Sequence, residues 1–136
     1  MADDATVVRD VRVALRHATG CRVAATVDGR FSARARLSEL RPDIVLVDEM
    51  CQRTNAFARL REVSEAVPGA KAVLLCGAMD RALVDDALAS GADAVLSRRL
   101  HPTVLGTLLR SIADDAIVHL PPAPAQWPGA LARTSA

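Results

Sequence analysis

The chain has 136 residues, of which 51% are hydrophobic and 24% are charged, so one domain can bury a continuous core and intrinsic disorder is excluded for most of its length. Its 17 basic and 16 acidic side chains leave a formal net charge of +1, and only 2% of the residues are aromatic. Such a chain lacks both the positive field that coats nucleic acid and the aromatic platforms that stack bases. The composition therefore argues against nucleic-acid binding by this chain alone.

No stretch approaches the roughly 20 apolar residues of a membrane span, and the acidic start Met1–Asp4 is unlike a signal peptide. The cysteines Cys21, Cys51 and Cys76 are odd in number and widely spaced, which fits neither a disulfide framework nor a paired zinc motif. We expect a cytoplasmic protein with reduced thiols and no membrane partner. A redox or metal pair of Cys51 with Cys76 is the alternative to packing roles for both.

Helices are predicted where apolar residues recur at spacings of three and four residues and where capping residues, glycine or proline mark the ends. These segments cover about 5–18, 31–40, 55–66, 80–90 and 103–113. Asn55 and Asp80 are the expected N-caps, because their short side chains can accept bonds from backbone N–H groups. Pro102 is expected to open the last helix.

Short apolar runs alternate with the helices and predict strands over 21–27, 43–48, 70–76 and 92–97. The run Asp43–Asp48 is too apolar for a half-exposed strand and is typical of a parallel strand covered on both faces. The alternation indicates a doubly wound parallel α/β sheet, since right-handed crossovers place helices on both faces. We assign residues 1–120 to this domain, with a further short strand at Ile117–Leu120, and the Pro- and Ala-rich residues 121–136 to a linker.

Functional residues of such a sheet lie beyond the carboxyl ends of its strands. Asp48 ends one predicted central strand, Cys76 ends the next, Arg98 follows the last, and Asp3 and Asp4 precede the first helix. Carboxylates that converge repel one another unless a hard cation such as Mg²⁺ lies between them, so the pattern predicts an anion-handling site with Mg²⁺. The alternatives are a helix-capping Asp48, a solvated acidic start and a solvated Arg98. No glycine-rich phosphate loop is present, which argues against nucleotide chemistry.

These residues resemble a response-regulator receiver domain of the CheY-like superfamily, most closely the LuxR/NarL type. The resemblance covers about Ala2–Pro122, and its most specific segment is Leu40–Asp48, which resembles the phospho-acceptor strand. Three other segments resemble the family's acidic pair, its turn into the last strand and its exit toward an effector domain: Asp3–Arg9, Ala89–Leu96 and Leu120–Pro122.

The resemblance implies a flavodoxin-like fold in which Asp48 takes a phosphoryl group from a histidine kinase. It also implies that Asp4, Asp48 and the backbone carbonyl of Met50 coordinate Mg²⁺, while Asp3 acts through water. Phosphoryl transfer needs in-line positioning and charge neutralisation more than acid-base chemistry, which agrees with a site of this kind.

The sequence departs from the family pattern at several places, and three of these departures bear on the site and on the sheet. Cys76 stands at the switch position of a serine or threonine and is a weak donor. Arg98 stands at the position of a lysine and would clamp phosphate as a planar fork. The family's first strand is missing from the sequence. Either the native product begins upstream and Met1 lies at the end of that strand, or Ile117–Leu120 takes its place. If Ile117–Leu120 comes from a second copy, the two chains exchange strands in a homodimer.

Three functions follow. The first is a phosphorylation-dependent switch that acts on a partner or on a DNA-binding effector domain absent from this chain. Acting on such an effector domain, it would control transcription. The second is a pseudo-receiver, independent of phosphorylation, whose last two helices form a docking or dimer surface. The third is a small flavodoxin-like enzyme, which the absence of a phosphate-cradling loop and of an acid-base pair disfavours. We predict that the chain is not an enzyme.

Overall fold

The computed structural model describes residues 1–16 and 20–114, together with the backbone of residues 132–133. The helices of these residues are α1 (Ala5–Arg16), α2 (Arg34–Leu40), α3 (Arg53–Ala66), α4 (Arg81–Ala89) and α5 (Pro102–Ala113). The strands are β1 (Ile44–Asp48), β2 (Lys71–Cys76), β3 (Ala94–Ser97) and β4 (Ala132–Arg133). Strands and helices therefore alternate along 44–113, as the sequence predicts.

The sheet has the order β1-β2-β3-β4, and its first three strands are parallel. Asp48 at the end of β1 lies opposite Leu75, and Cys76 at the end of β2 lies opposite Ser97. The carboxyl ends of β1, β2 and β3 consequently share one edge of the sheet. The predicted α/β fold with a parallel sheet is confirmed.

Alternate residues of each parallel strand face opposite sides of the sheet and build two cores. One core packs against α2, α3 and α4, and its members from the strands are Val45, Val47, Ala72, Leu74, Cys76 and Val95. The other packs against α1 and α5, and its members from the strands are Ile44, Leu46, Val73, Leu75, Ala94 and Leu96. Burial on both faces explains why these strands are apolar throughout rather than alternating with polar residues.

The predicted strand 21–27 is wrong, because these residues form no regular strand. A cavity of about 710 Å³ lies between residues 22–27 and β1, and residues of α1, α2 and α5 line its other walls. A strand requires a ladder partner for its backbone groups, and along most of this segment the cavity stands where that partner would be. Only Asp28 makes a bridge, which is parallel and joins it to Ala2.

Met1 and Ala2 lie beside the carboxyl end of β1, at one end of that cavity. The N–H of Asp48 donates to the carbonyl of Met1 at 2.9 Å, and the amino group of Met1 donates to the carbonyl of Leu46 at 2.7 Å. The segment Ile117–Leu120, which we considered as a filling strand, lies outside the described residues.

Two helix N-termini test the predicted caps. Asp80 caps α4 as predicted, because its side chain accepts a bond from the N–H of Leu83 at 2.8 Å. The prediction for Asn55 is wrong. Helix α3 begins at Arg53, and the N–H of Asn55 already donates to the carbonyl of Gln52 at 3.0 Å, so Asn55 lies inside the first turn.

The predicted linker 121–136 is interrupted by β4. Ala132 and Arg133 pair antiparallel with Val95 and Ala94 of β3, so at least these two residues join the sheet. An edge strand offers unpaired N–H and C=O groups, which a second strand can bind whatever its side chains are. None of the described helices is both long and apolar enough to cross a membrane.

Candidate functional site

The carboxylate of Asp48 lies at the carboxyl end of β1, and its side chain is only 4% exposed. Its Oδ2 accepts a bond from the N–H of Met50 at 2.9 Å, and its Oδ1 accepts one from Nη1 of Arg98. The backbone of Met50 is left-handed, with φ of 59°, so the chain turns sharply just beyond the strand. This buried carboxylate therefore has one cationic donor and one backbone donor.

Arg98 follows the end of β3 and brings its guanidinium across the sheet edge to β1. Its backbone N–H donates to the carbonyl of Cys76 at 2.9 Å, which fixes the start of the loop. Its Nη1 binds Asp48, while its Nη2 lies 3.5 Å from Oε1 of Glu49. One permanently charged guanidinium therefore serves two neighbouring carboxylates.

Glu49 is a site residue that the sequence analysis missed. Its side chain is 15% exposed, and its Oε1 accepts a bond of 2.7 Å from the N–H of Gly77, the first residue after β2. A Cβ at Gly77 would lie 2.7 Å from Nη2 of Arg98, so a larger residue there would displace the end of that side chain. The available signal was the acidic residue directly after Asp48 at the end of an apolar strand.

An ion-pair chain continues from Glu49 to the next helix. Oε2 of Glu49 lies 3.5 Å from Nε of Arg53, whose Nη2 lies 3.3 Å from Oδ2 of Asp80. We call the alternating series Asp48, Arg98, Glu49, Arg53 and Asp80 the ion-pair chain. It connects the end of β1 with the N-cap of α4.

Asp3 and Asp4 have different partners. Oδ2 of Asp3 accepts a bond of 3.0 Å from the N–H of Cys51, which places Asp3 beside the loop after β1. Oδ1 of Asp4 accepts a bond of 2.7 Å from the N–H of Thr6, within the first turn of α1, and its side chain is exposed. The structure thus brings Asp3 to the site and uses Asp4 at a helix start.

The described residues contain no group of three or more histidine, cysteine or acidic side chains that could hold a metal ion. Both oxygens of Asp48 have protein donors, and Asp4 is engaged in α1. Coordination of Mg²⁺ by Asp3, Asp4, Asp48 and the carbonyl of Met50 therefore stays a prediction of the resemblance. The cation that neutralises Asp48 here is Arg98.

Cys76 ends β2 but belongs to the core. Its side chain is fully buried, and Sγ donates to the carbonyl of Leu96 at 3.6 Å. Burial, with a smaller contribution from the charge of Glu49, raises the pKa of the Cys76 thiol to about 11. Cys51 is exposed, and both thiols are free. The switch position predicted from the resemblance is therefore held by a neutral packing residue.

Comparison with known proteins places this geometry in context. No protein-family model matches the chain. The chain is 26% identical to the chemotaxis protein CheY of Thermotoga maritima over 114 aligned residues. The alignment covers 83% of this chain and 94% of that protein.

Solved structures share the fold. A response regulator from Thermotoga maritima has a TM-score of 0.68 at 19% identity, over 84% of this chain and 93% of that one. The signal receiver domain of a DNA-binding response regulator from Colwellia psychrerythraea has a TM-score of 0.69 at 19% identity. The match covers 83% of this chain and 94% of that one. A pilus assembly-related protein from Burkholderia pseudomallei has a TM-score of 0.71 at 23% identity. The match covers 86% of this chain and 89% of that one.

The LuxR/NarL assignment stays a prediction, because these relatives do not resolve a subtype. The sequence likeness to a CheY and the fold shared with solved receivers agree with one another. The chain has the CheY-like receiver fold, and its resemblance to response-regulator receiver domains is confirmed.

Proposed function

We propose that this chain is the receiver domain of a two-component response regulator and that Asp48 accepts a phosphoryl group from a histidine kinase. The observation that carries the proposal is the buried carboxylate of Asp48 at the carboxyl edge of the sheet, held by Arg98. The sequence likeness to a chemotaxis CheY supports the same role.

The transfer requires little covalent chemistry from the protein. An oxygen of Asp48 attacks the phosphorus of a phosphohistidine on the kinase, and the new O–P bond forms as the N–P bond breaks. The imidazole leaves with the electron pair and takes a proton from solvent. Arg98 neutralises the charge that gathers on the phosphoryl oxygens, which is the main requirement of such a transfer. Magnesium stays a prediction of the resemblance, and no step of this transfer uses it.

The proposal is tested by intact mass after incubation with acetyl phosphate and Mg²⁺. The chain should gain one phosphoryl group, with acetate as the leaving group, and Asp48→Asn should abolish the gain. Asp43→Asn is the matched control, since Asp43 is exposed and precedes the same strand. An adduct that persists in Asp48→Asn would contradict the assignment of the acceptor.

A second candidate function is an interaction module that works without phosphorylation. The thiol of Cys76 donates into the core, so β2 presents no hydroxyl donor beside Asp48. Val104 on α5 is 45% exposed, an apolar side chain on the predicted docking surface. A folded chain that takes no phosphoryl group would favour this function. A flavin absorption band in the purified protein would favour the small enzyme instead.

The remaining partners stay predictions. A homodimer would follow from strand exchange or from a surface on the last two helices. The resemblance implies an effector domain that binds DNA, and the Colwellia relative is itself named as part of a DNA-binding response regulator. Control of transcription is tested by measuring DNA binding of the natural gene product that contains this domain, with and without phosphorylation.

A further inference from the structure

Glu49 binds Arg98, the cation that the proposed reaction at Asp48 uses, and also the N–H of Gly77, a residue that lies directly beside the Arg98 guanidinium. The N–H of Gly77 lies 2.7 Å from Oε1 of Glu49, and Nη2 of Arg98 lies 3.5 Å from the same oxygen. The other nitrogen of that guanidinium binds Asp48. We propose that Glu49 is an internal anion that competes with a phosphoryl group on Asp48 for Arg98 and for the N–H of Gly77.

This inference rests on the proposed function, because the competing group is the phosphoryl group on Asp48. A phosphoryl group has about two negative charges and needs several donors. Arg98 is the only cation within ion-pair distance of Asp48 among the described residues, and it is shared with Glu49. The two anions would therefore repel one another across one guanidinium, and Glu49 disfavours the phosphorylated state.

The ion-pair chain gives this competition a structural consequence. If Glu49 loses Arg98 and the N–H of Gly77 to the phosphoryl group, its remaining partner is Arg53. Arg53 also binds Asp80, the N-cap of α4. A change at Asp48 can therefore reach the loop between β2 and α4 through charged side chains, without a hydroxyl at Cys76.

The role of Glu49 is distinguished from a purely structural one by Glu49→Gln. Glutamine retains an oxygen that can accept the bond from Gly77 but removes the negative charge. Glu49→Asp is the second variant, which retains the charge on a shorter side chain, and Glu39→Gln is the control, since Glu39 pairs on the exposed surface with Arg36. Circular dichroism confirms that each variant is folded.

Two readouts are taken for every variant. The first is the rate at which acetyl phosphate adds a phosphoryl group, measured by intact mass. The second is the midpoint at which inorganic phosphate shifts the backbone amide resonance of Gly77 in NMR spectra.

We expect Glu49→Gln to react with acetyl phosphate about tenfold faster than the wild type and to bind phosphate at about tenfold lower concentration. A change of about tenfold is what removal of one repulsive contact between two partly exposed charges should produce. Glu49→Asp should lie closer to the wild type, and Glu39→Gln should equal it. Equal rates and midpoints in Glu49→Gln and wild type would overturn the inference while the proposed function stands.

If no variant gains a phosphoryl group, the proposed function fails, and the phosphate titration then decides only whether Glu49 competes with a phosphate anion for the two donors. A lower midpoint in Glu49→Gln then supports competition for the two donors. An unchanged midpoint overturns it.

Discussion

Removing the guanidinium of Arg98 should destabilise the fold through Asp48. The Asp48 side chain is 4% exposed, and without Arg98 it retains a single hydrogen bond, from the N–H of Met50. Loss of one partner of a buried ion pair costs about 3–5 kcal/mol. Arg98 is itself 31% exposed, so water can partly replace it. We therefore expect Arg98→Met to lower the free energy of unfolding by about 2–3 kcal/mol.

The assay is a double-mutant cycle by urea denaturation. Asp48→Asn removes the charge that needs Arg98, while its amide oxygen can still accept the bond from Met50. In that background Arg98→Met should cost less than about 1 kcal/mol, which gives a coupling energy of about 2 kcal/mol. A coupling energy below about 0.5 kcal/mol, the value typical of exposed pairs, would refute the reasoning.

Two further predictions concern residues that are not members of the ion-pair chain. At pH 8 iodoacetamide should label Cys51 but not Cys76 in the folded chain, because a pKa of about 11 leaves roughly one Cys76 thiol in a thousand as thiolate. Peptide mapping measures both sites, and equal labelling rates would contradict the burial of Cys76. Glu62→Ala should lower the free energy of unfolding by about 2 kcal/mol, since buried Glu62 accepts the bond from the N–H of Ala33 at the start of α2. Urea denaturation tests it against exposed Glu65→Ala, and equal losses in both variants would count against it.

The elements that the sequence predicts well are those fixed by local pattern and burial. β1 and β2 are apolar because both of their faces are covered, and that cause is visible in the residues themselves. Segment 21–27 has similar residue types but lacks a neighbouring strand along most of its length. Strand formation depends on such distant partners, which single-segment patterns do not contain.

The residues of the candidate site likewise fall into those that the sequence predicts and those that depend on distant contacts. Asp48 and Arg98 were predictable, because the ends of parallel strands fix their positions at one edge. The contact of Glu49 with Gly77 depends on the conformation of two loops, which the sequence does not determine locally. Asp4 shows a local competition, since a carboxylate before a helix can cap it instead of facing the sheet edge.

The cation beside Asp48 is an arginine, and that choice has a chemical consequence beyond geometry. Acetyl phosphate can transfer its acetyl group to lysine amines as well as its phosphoryl group to carboxylates, and acetylation removes the charge of a lysine. Lys71 is the only lysine of the sequence, and it lies at the start of β2, at the opposite edge of the sheet from Asp48. A guanidinium remains protonated and is a poor acyl acceptor at neutral pH. The charge that faces Asp48 is therefore chemically stable to the same small molecule that could phosphorylate it.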